Sequence, residues 1–131
     1  MKYILMMHGQ KGSWDEYAKW SKEDLQRNVE FMQRFSKELH EAGVFVDTKG
    51  LARPQEAKLV RAANNGEPIT DGVFPESKEF LAGYLIVDVE SSQRAYEIAA
   101  AWSAAPGPGG MPLTMPIEVR QVMSPGAGEL P

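Results

Sequence analysis

The sequence predicts an α+β fold, an antiparallel sheet carrying two helices on one face, and three observations point to it. Two segments place apolar residues at helical spacing between capping residues. The stretches around them are short β-branched or aromatic runs, separated by Gly, Pro and Asn turns. Apolar residues also fall on both alternations of the candidate strands, so the sheet face turned away from the helices needs cover as well.

Lys2 to His8 is a nearly continuous apolar run containing Tyr3 and Ile4, which suits a first strand covered on both sides. Gly9 to Trp20 is a loop with one helical turn from Ser13, and its Trp14 and Trp20 require covering. Ser21 before Lys22-Glu23-Asp24 is an N-cap with acids in the first turn, where their charge meets the positive end of the helix dipole. Leu25, Val29, Met32, Phe35, Leu39 and Ala42, with Phe31 alongside, then recur every three or four residues and define a buried face. Gly43 ends this helix as a left-handed cap.

Val44 to Thr48 and Lys58 to Ala63 are strands joined through Lys49 to Ala57, with a break at Pro54. Asn64-Asn65-Gly66 reverses the chain, because Asn and Gly tolerate positive φ, and Pro68 to Thr70 returns as a short or irregular strand. Phe80 to Val89 has the strongest strand composition, with Tyr84, Leu85, Ile86, Val87 and Val89 together. Ser91 or Ser92 caps a second helix through Ala104, whose stripe is Ala95, Ile98, Ala99 and Trp102; Ala100, Ala101, Ala104 and Ala105 let it pack closely. The segment Pro106 to Pro112 is a loop, since its prolines lack donors and its glycines are expensive to order. Pro116 to Val122 alternates as a half-buried last strand, and Ser124 to Pro131 is expected to fray.

That order is the βαββαβ skeleton of the ferredoxin-like kind with a hairpin appendage. Tyr3, Leu5, Val44, Val46, Tyr84 and Ile86 fall on both strand parities, and two such sheets packed face to face would cover them, so a homodimer is expected.

At 131 residues and 43% hydrophobic content the chain fits one domain, 1–123, followed by a flexible tail, 124–131. It has no Cys, which removes disulfides, thiolate metal sites and a Cys nucleophile together. The opening apolar run is too short for a signal peptide, and no later run approaches the ~18 residues of a membrane span, so a soluble cytoplasmic protein is expected, with no membrane partner. The formal charge is −4 with Lys and Arg scattered among acids, which argues against nucleic acid. His8 and His40 lack a spacing that would set both on one metal, and Gly107, Gly109 and Gly110 precede a strand and not a helix. No metal and no cofactor are expected.

The segment Thr70-Asp71-Gly72-Val73-Phe74-Pro75-Glu76-Ser77-Lys78-Glu79-Phe80-Leu81-Ala82-Gly83-Tyr84 is the most informative part of the chain. It resembles the signature of YCII-related proteins of the DGPF type, in which a strand leads through Asp-Gly-Pro-Phe and a Glu-Ser/Thr-Lys-Glu stretch to a strand containing Gly-Tyr. Met1-Lys2-Tyr3-Ile4-Leu5-Met6, the helix exit Glu41-Ala42-Gly43-Val44 and the closing Ile117-Glu118-Val119-Arg120 are similar to that family too. Val73 departs from the expected Pro, as does Gln121 after the Val-Arg pair. The resemblance implies a dimeric α/β barrel built from two ferredoxin-like halves. It also implies kinship with small enzymes that use a His–Asp pair, the His inside the first helix and the Asp in a loop before a strand. The helix centre here holds Glu30, Phe31 and Met32 with no His, and only Asp71 resembles the loop carboxylate.

From the residues themselves, His8 at the end of the first strand is a candidate general base or a structural, hydrogen-bonded His. Asp71 is a candidate proton acceptor or an ordinary turn residue before Gly72. Phe74 lines a pocket or plugs the core, while Glu76, Lys78 and Glu79 fit a solvated face. Tyr84 and Arg120 project from strands, where a phenol and a guanidinium can bind an anionic group between two sheets, or pack across strands. Trp14, Trp20, Trp102, Met6, Met7, Met32 and Met111 close a pocket or fill the core.

Two functions are compatible with these residues. One is a small-molecule-binding protein or cofactor-free enzyme of the proton-transfer or isomerase type. It would have a cleft between sheet and helices, with His8 or Asp71 as base and Tyr84 or Arg120 stabilising negative charge. The other is a non-catalytic regulatory or interaction module, since the family tends to accompany extracytoplasmic-function sigma factors. The Asp71 to Glu79 loop and the Pro-Gly loop would then be partner surfaces.

Overall fold

The computed structural model describes residues 1–10, 12–72 and 79–123. Its strands are β1 (Lys2–Gln10), β2 (Phe45–Gly50), β3 (Lys58–Ala62), β4 (Pro68–Gly72), β5 (Glu79–Asp88) and β6 (Ile117–Gln121), and its helices α1 (Ser13–Tyr17), α2 (Lys22–Glu41) and α3 (Ser92–Ser103). Strands β2, β5, β1 and β6, in that order, make a four-stranded sheet in which every neighbouring pair is antiparallel. With α2 between β1 and β2, and α3 between β5 and β6, this is the ferredoxin-like βαββαβ arrangement. The hairpin of β3 and β4 forms a separate two-stranded sheet inserted between β2 and β5.

The caps follow from residue chemistry. Ser21 accepts a hydrogen bond from the Asp24 amide at 3.1 Å and Ser91 one from the Arg94 amide at 3.2 Å, each satisfying a donor that a helix start leaves orphaned. Gly43 adopts φ 72° immediately after the end of α2, where a Cβ would be strained. The core lies between the helices and one face of the sheet: Tyr3 and Leu5 of β1, Leu85 and Val87 of β5, Phe35 and Leu39 of α2, and Ala95, Ile98, Ala99 and Trp102 of α3. The whole expected stripe of α3 is therefore buried, but of its extra alanines only Ala105 is.

The long helix differs from expectation in its first half, because Val29 is exposed and Ala42 is exposed at the other end. There α2 meets the Pro106–Pro112 segment, not the sheet. Asp24 accepts from the Gly109 amide at 3.1 Å, and Asn28 donates to the Pro106 carbonyl at 3.0 Å. The segment itself closes through a bridge between Pro106 and Pro112 and contains a 3₁₀ turn, Pro108–Gly110, so it is more ordered than its composition suggested.

Three strands run further than their composition predicted. β1 continues to Gln10 because β5 still pairs with it beyond a bulge at Met7/His8. β2 continues through Lys49 and Gly50, which pair with Tyr84 and Gly83. β4 takes in Asp71 and Gly72, opposite Leu59 and Lys58, so Asp71-Gly72 is extended strand and not a turn.

Candidate functional site

Alternation fixes what the sheet presents on its open side. Tyr3, Leu5, Leu85 and Val87 point at the helices, so Ile4, Met6, Tyr84 and Ile86 point away from them and remain half-buried. The strand register arranges this open face in two rows that cross all four strands. One runs Lys49, Tyr84, Met6, Glu118, and the next runs Asp47, Ile86, Ile4, Arg120. Apolar side chains occupy the middle and charges the edges.

At the β6 edge, His8 Nε2 lies 3.1 Å from Glu118 Oε1, and Arg120 Nε donates to Glu118 Oε2 at 2.6 Å. Arg120 first, and His8 second, hold the Glu118 carboxyl below the usual carboxylate range. An ionised carboxylate only accepts, so Nε2–H of His8 is the donor of this bond and Nδ1 is the ring nitrogen turned away from Glu118. A carboxylate placed behind an imidazole in this way fixes the orientation of the ring.

A second cluster forms at the β2 edge. Tyr84 Oη donates to Asp47 Oδ2 at 3.1 Å and Lys49 Nζ to Asp47 Oδ1 at 3.0 Å. Lys49 lowers the Asp47 pKa, and Asp47 in turn raises that of Lys49. Desolvation and then the bond to Asp47 raise the Tyr84 phenol. With its proton committed to Asp47, the phenol offers a ligand an acceptor, while Lys49 and Arg120 are the groups suited to an anion.

Of the residues singled out in the sequence, His8, Tyr84 and Arg120 thus share the open face, on the side opposite the packed core. His8 and Arg120 meet through Glu118, whereas Tyr84 is separated from Arg120 by the width of β1. Asp71 sits on the hairpin sheet, away from this cluster in the topology. Phe74 lies outside the described residues, as do Glu76 and Lys78 of the charged loop and the 124–131 tail. Glu118, Asp47 and Lys49 were not singled out. Only the alternation Ile117-Glu118-Val119-Arg120 signalled that Glu118 and Arg120 share a polar side. A groove of about 340 Å³ lies at the base of the hairpin, lined by Leu51, Ala52, Arg53, Pro54, Glu56, Ala57, Phe80 and Leu81, of which Leu81 is the strand partner of His8.

The fold, an antiparallel ferredoxin-like sheet with a polar and apolar open face, defines an α+β domain of a widely used architecture. A family model, the YCII-related domain, matches residues 1–108, and the chain belongs to the YCII-related family. It is also similar to an uncharacterised protein of Rhizobium meliloti (strain 1021), 30% identical over 112 residues, 86% of each chain. Among the described residues no helix is long and apolar enough to cross a membrane.

Proposed function

We propose that the open face of the sheet binds a small organic molecule and that His8, backed by Glu118, moves a proton on it. The observation carrying this reading is the His8–Glu118 pair at 3.1 Å, with Arg120 keeping the carboxylate ionised. A substrate acidic next to a carbonyl fits this arrangement. Nδ1 would take the proton, and Arg120 or Lys49 would balance the charge that develops on oxygen. The apolar middle of the face, Ile4, Met6 and Ile86, would hold the carbon skeleton. Such chemistry is of the isomerase or proton-transfer type.

The test is a thermal-shift screen of the purified protein against metabolites, since a ligand at a hundred times its Kd raises stability by about 2.7 kcal/mol. A stabilising compound is expected to lose its effect in His8→Ala and to weaken in Glu118→Gln. Retention in both variants overturns the assignment. Asp71→Asn, run beside them, decides whether the hairpin carboxylate shares the site: loss of the hit there would bring Asp71 into it. The interaction-module alternative, with a sigma-factor-related partner, rests on family habit alone and gains no support from any contact described above.

A further inference from the structure

The bulge between β1 and β5 decides what stands beside His8. From Val87 back to Gly83 the odd-numbered residues of β5 face the helices, and continued alternation would send Leu81 the same way. The register shift at Met7/His8 instead leaves Ala82 as an extra residue, with Gly83 opposite Met7 and Leu81 opposite His8. Leu81 and Glu79 are thereby turned to the open side with His8 and Gln10, and Gln10 Nε2 donates to Glu79 Oε1 at 3.4 Å. On the helix side, a Cβ on Gly9 would stand 3.8 Å from that of Ala82, which is where the displaced residue has gone.

Leu81 also lines the groove at the base of the hairpin, with Leu51, Ala57 and Phe80 among the other apolar walls. One side chain therefore belongs to both the groove and the surroundings of the imidazole. We propose that this groove holds an apolar arm of the molecule on which His8 acts, and that the substrate is an α-keto acid with an aryl or branched-alkyl group on the carbon that gives up its proton. The inference rests on the proton-transfer reading of His8 given above.

Residues opposite one another in an antiparallel pair lie ~4.5–5.5 Å apart, so the step from His8 to the groove wall is one that a group joined directly to the reacting carbon covers. The groove, at about 340 Å³, has room for such an arm and falls within the range of about 300–1,000 Å³ usual for small-molecule sites. Leu51 and Leu81 are 40% and 39% exposed, and an apolar arm laid on them would take that surface out of water. The keto and carboxylate oxygens stay on the open face. Arg120, which meets His8 through Glu118 and has a side chain 72% exposed, is free to take the carboxylate as a second partner.

Phenylpyruvate and pyruvate separate the arm from the reacting group. Each is titrated to millimolar concentration into the isotope-labelled protein and into Ala57→Trp, which fills the groove, and the amide NMR shifts are followed. Phenylpyruvate is expected to move the amides of Leu51, Ala57, Phe80 and Leu81 together with that of His8. It is expected to bind about tenfold or more weakly to Ala57→Trp, the loss when an arm of that size is left in water. Pyruvate, which lacks the arm, is expected to leave the groove amides unmoved. Phenylpyruvate shifts confined to His8 and Glu118, with no loss of binding in Ala57→Trp, overturn the groove assignment and leave the reading of His8 standing. Groove shifts with His8 unmoved overturn that reading and this inference with it, as does an absence of shifts from both compounds. Should Ala57→Trp fail to fold, Leu51→Asp, at an exposed position, sets a charge in the groove wall and carries the same expectation.

Discussion

At the scale of single residues, the chemistry concentrates on Glu118, which accepts from both His8 and Arg120. Its carboxyl is held below the ordinary range in the folded protein, first by Arg120. The sign of the pH dependence follows: the stabilisation is present above the pKa of an unfolded Glu and is lost as pH falls through the lowered value. Removing the guanidinium with Arg120→Ala is expected to move the Glu118 titration upward toward the unfolded value. Carboxyl NMR shifts followed against pH measure this, and an unmoved midpoint would assign the lowering to His8. The sequence offered His8 as an imidazole at the end of the first strand, which the structure carries on to Gln10. Its partner was not offered, because 110 residues separate them and nothing local links a first strand to a last one.

At the scale of elements, caps and stripes were legible and strand ends were not. Ser21 and Gly43 act within one turn of chain, so their residue types alone placed the ends of α2, whereas for α3 the sequence left Ser91 and Ser92 open and the structure gives the cap to Ser91. Strand length, by contrast, is decided by the neighbour: Lys49 and Gly50 are strand because β5 runs on past them. Gly83 is the residue that admits this contact, since a Cβ there would stand 2.9 Å from the Lys49 carbonyl oxygen. Gly83→Ala is therefore expected to push β2 off β5 and cost ~1–3 kcal/mol, an overpacking penalty. Urea unfolding measures the loss, and hydrogen exchange locates it. Unchanged stability with unchanged protection in β2 would show that the strand can shift without cost.

At the scale of the whole molecule, one layer of side chains between sheet and helices carries the fold. Leu5 is fully buried at the centre of that layer, and Leu5→Ala is expected to cost about 2–5 kcal/mol. Against a total of ~5–15 kcal/mol for a domain, this is large enough to lower the midpoint of thermal unfolding clearly; a shift of a degree or less would mean that the core collapses into the gap. The sequence by itself determined the order of elements, the caps of α2, the buried stripe of α3 and the presence of apolar residues on both sides of the sheet. These depend on period and on neighbours within a few residues, which a linear chain displays. Only the tertiary structure decided that Asp71 belongs to a strand of the hairpin, that Val29 faces outward, and that Lys49, Asp47, Glu118 and Arg120 stand at four corners of one face. The reason is register: which residue of one strand lies opposite which of another is set by pairing across the sheet, and no local pattern carries it.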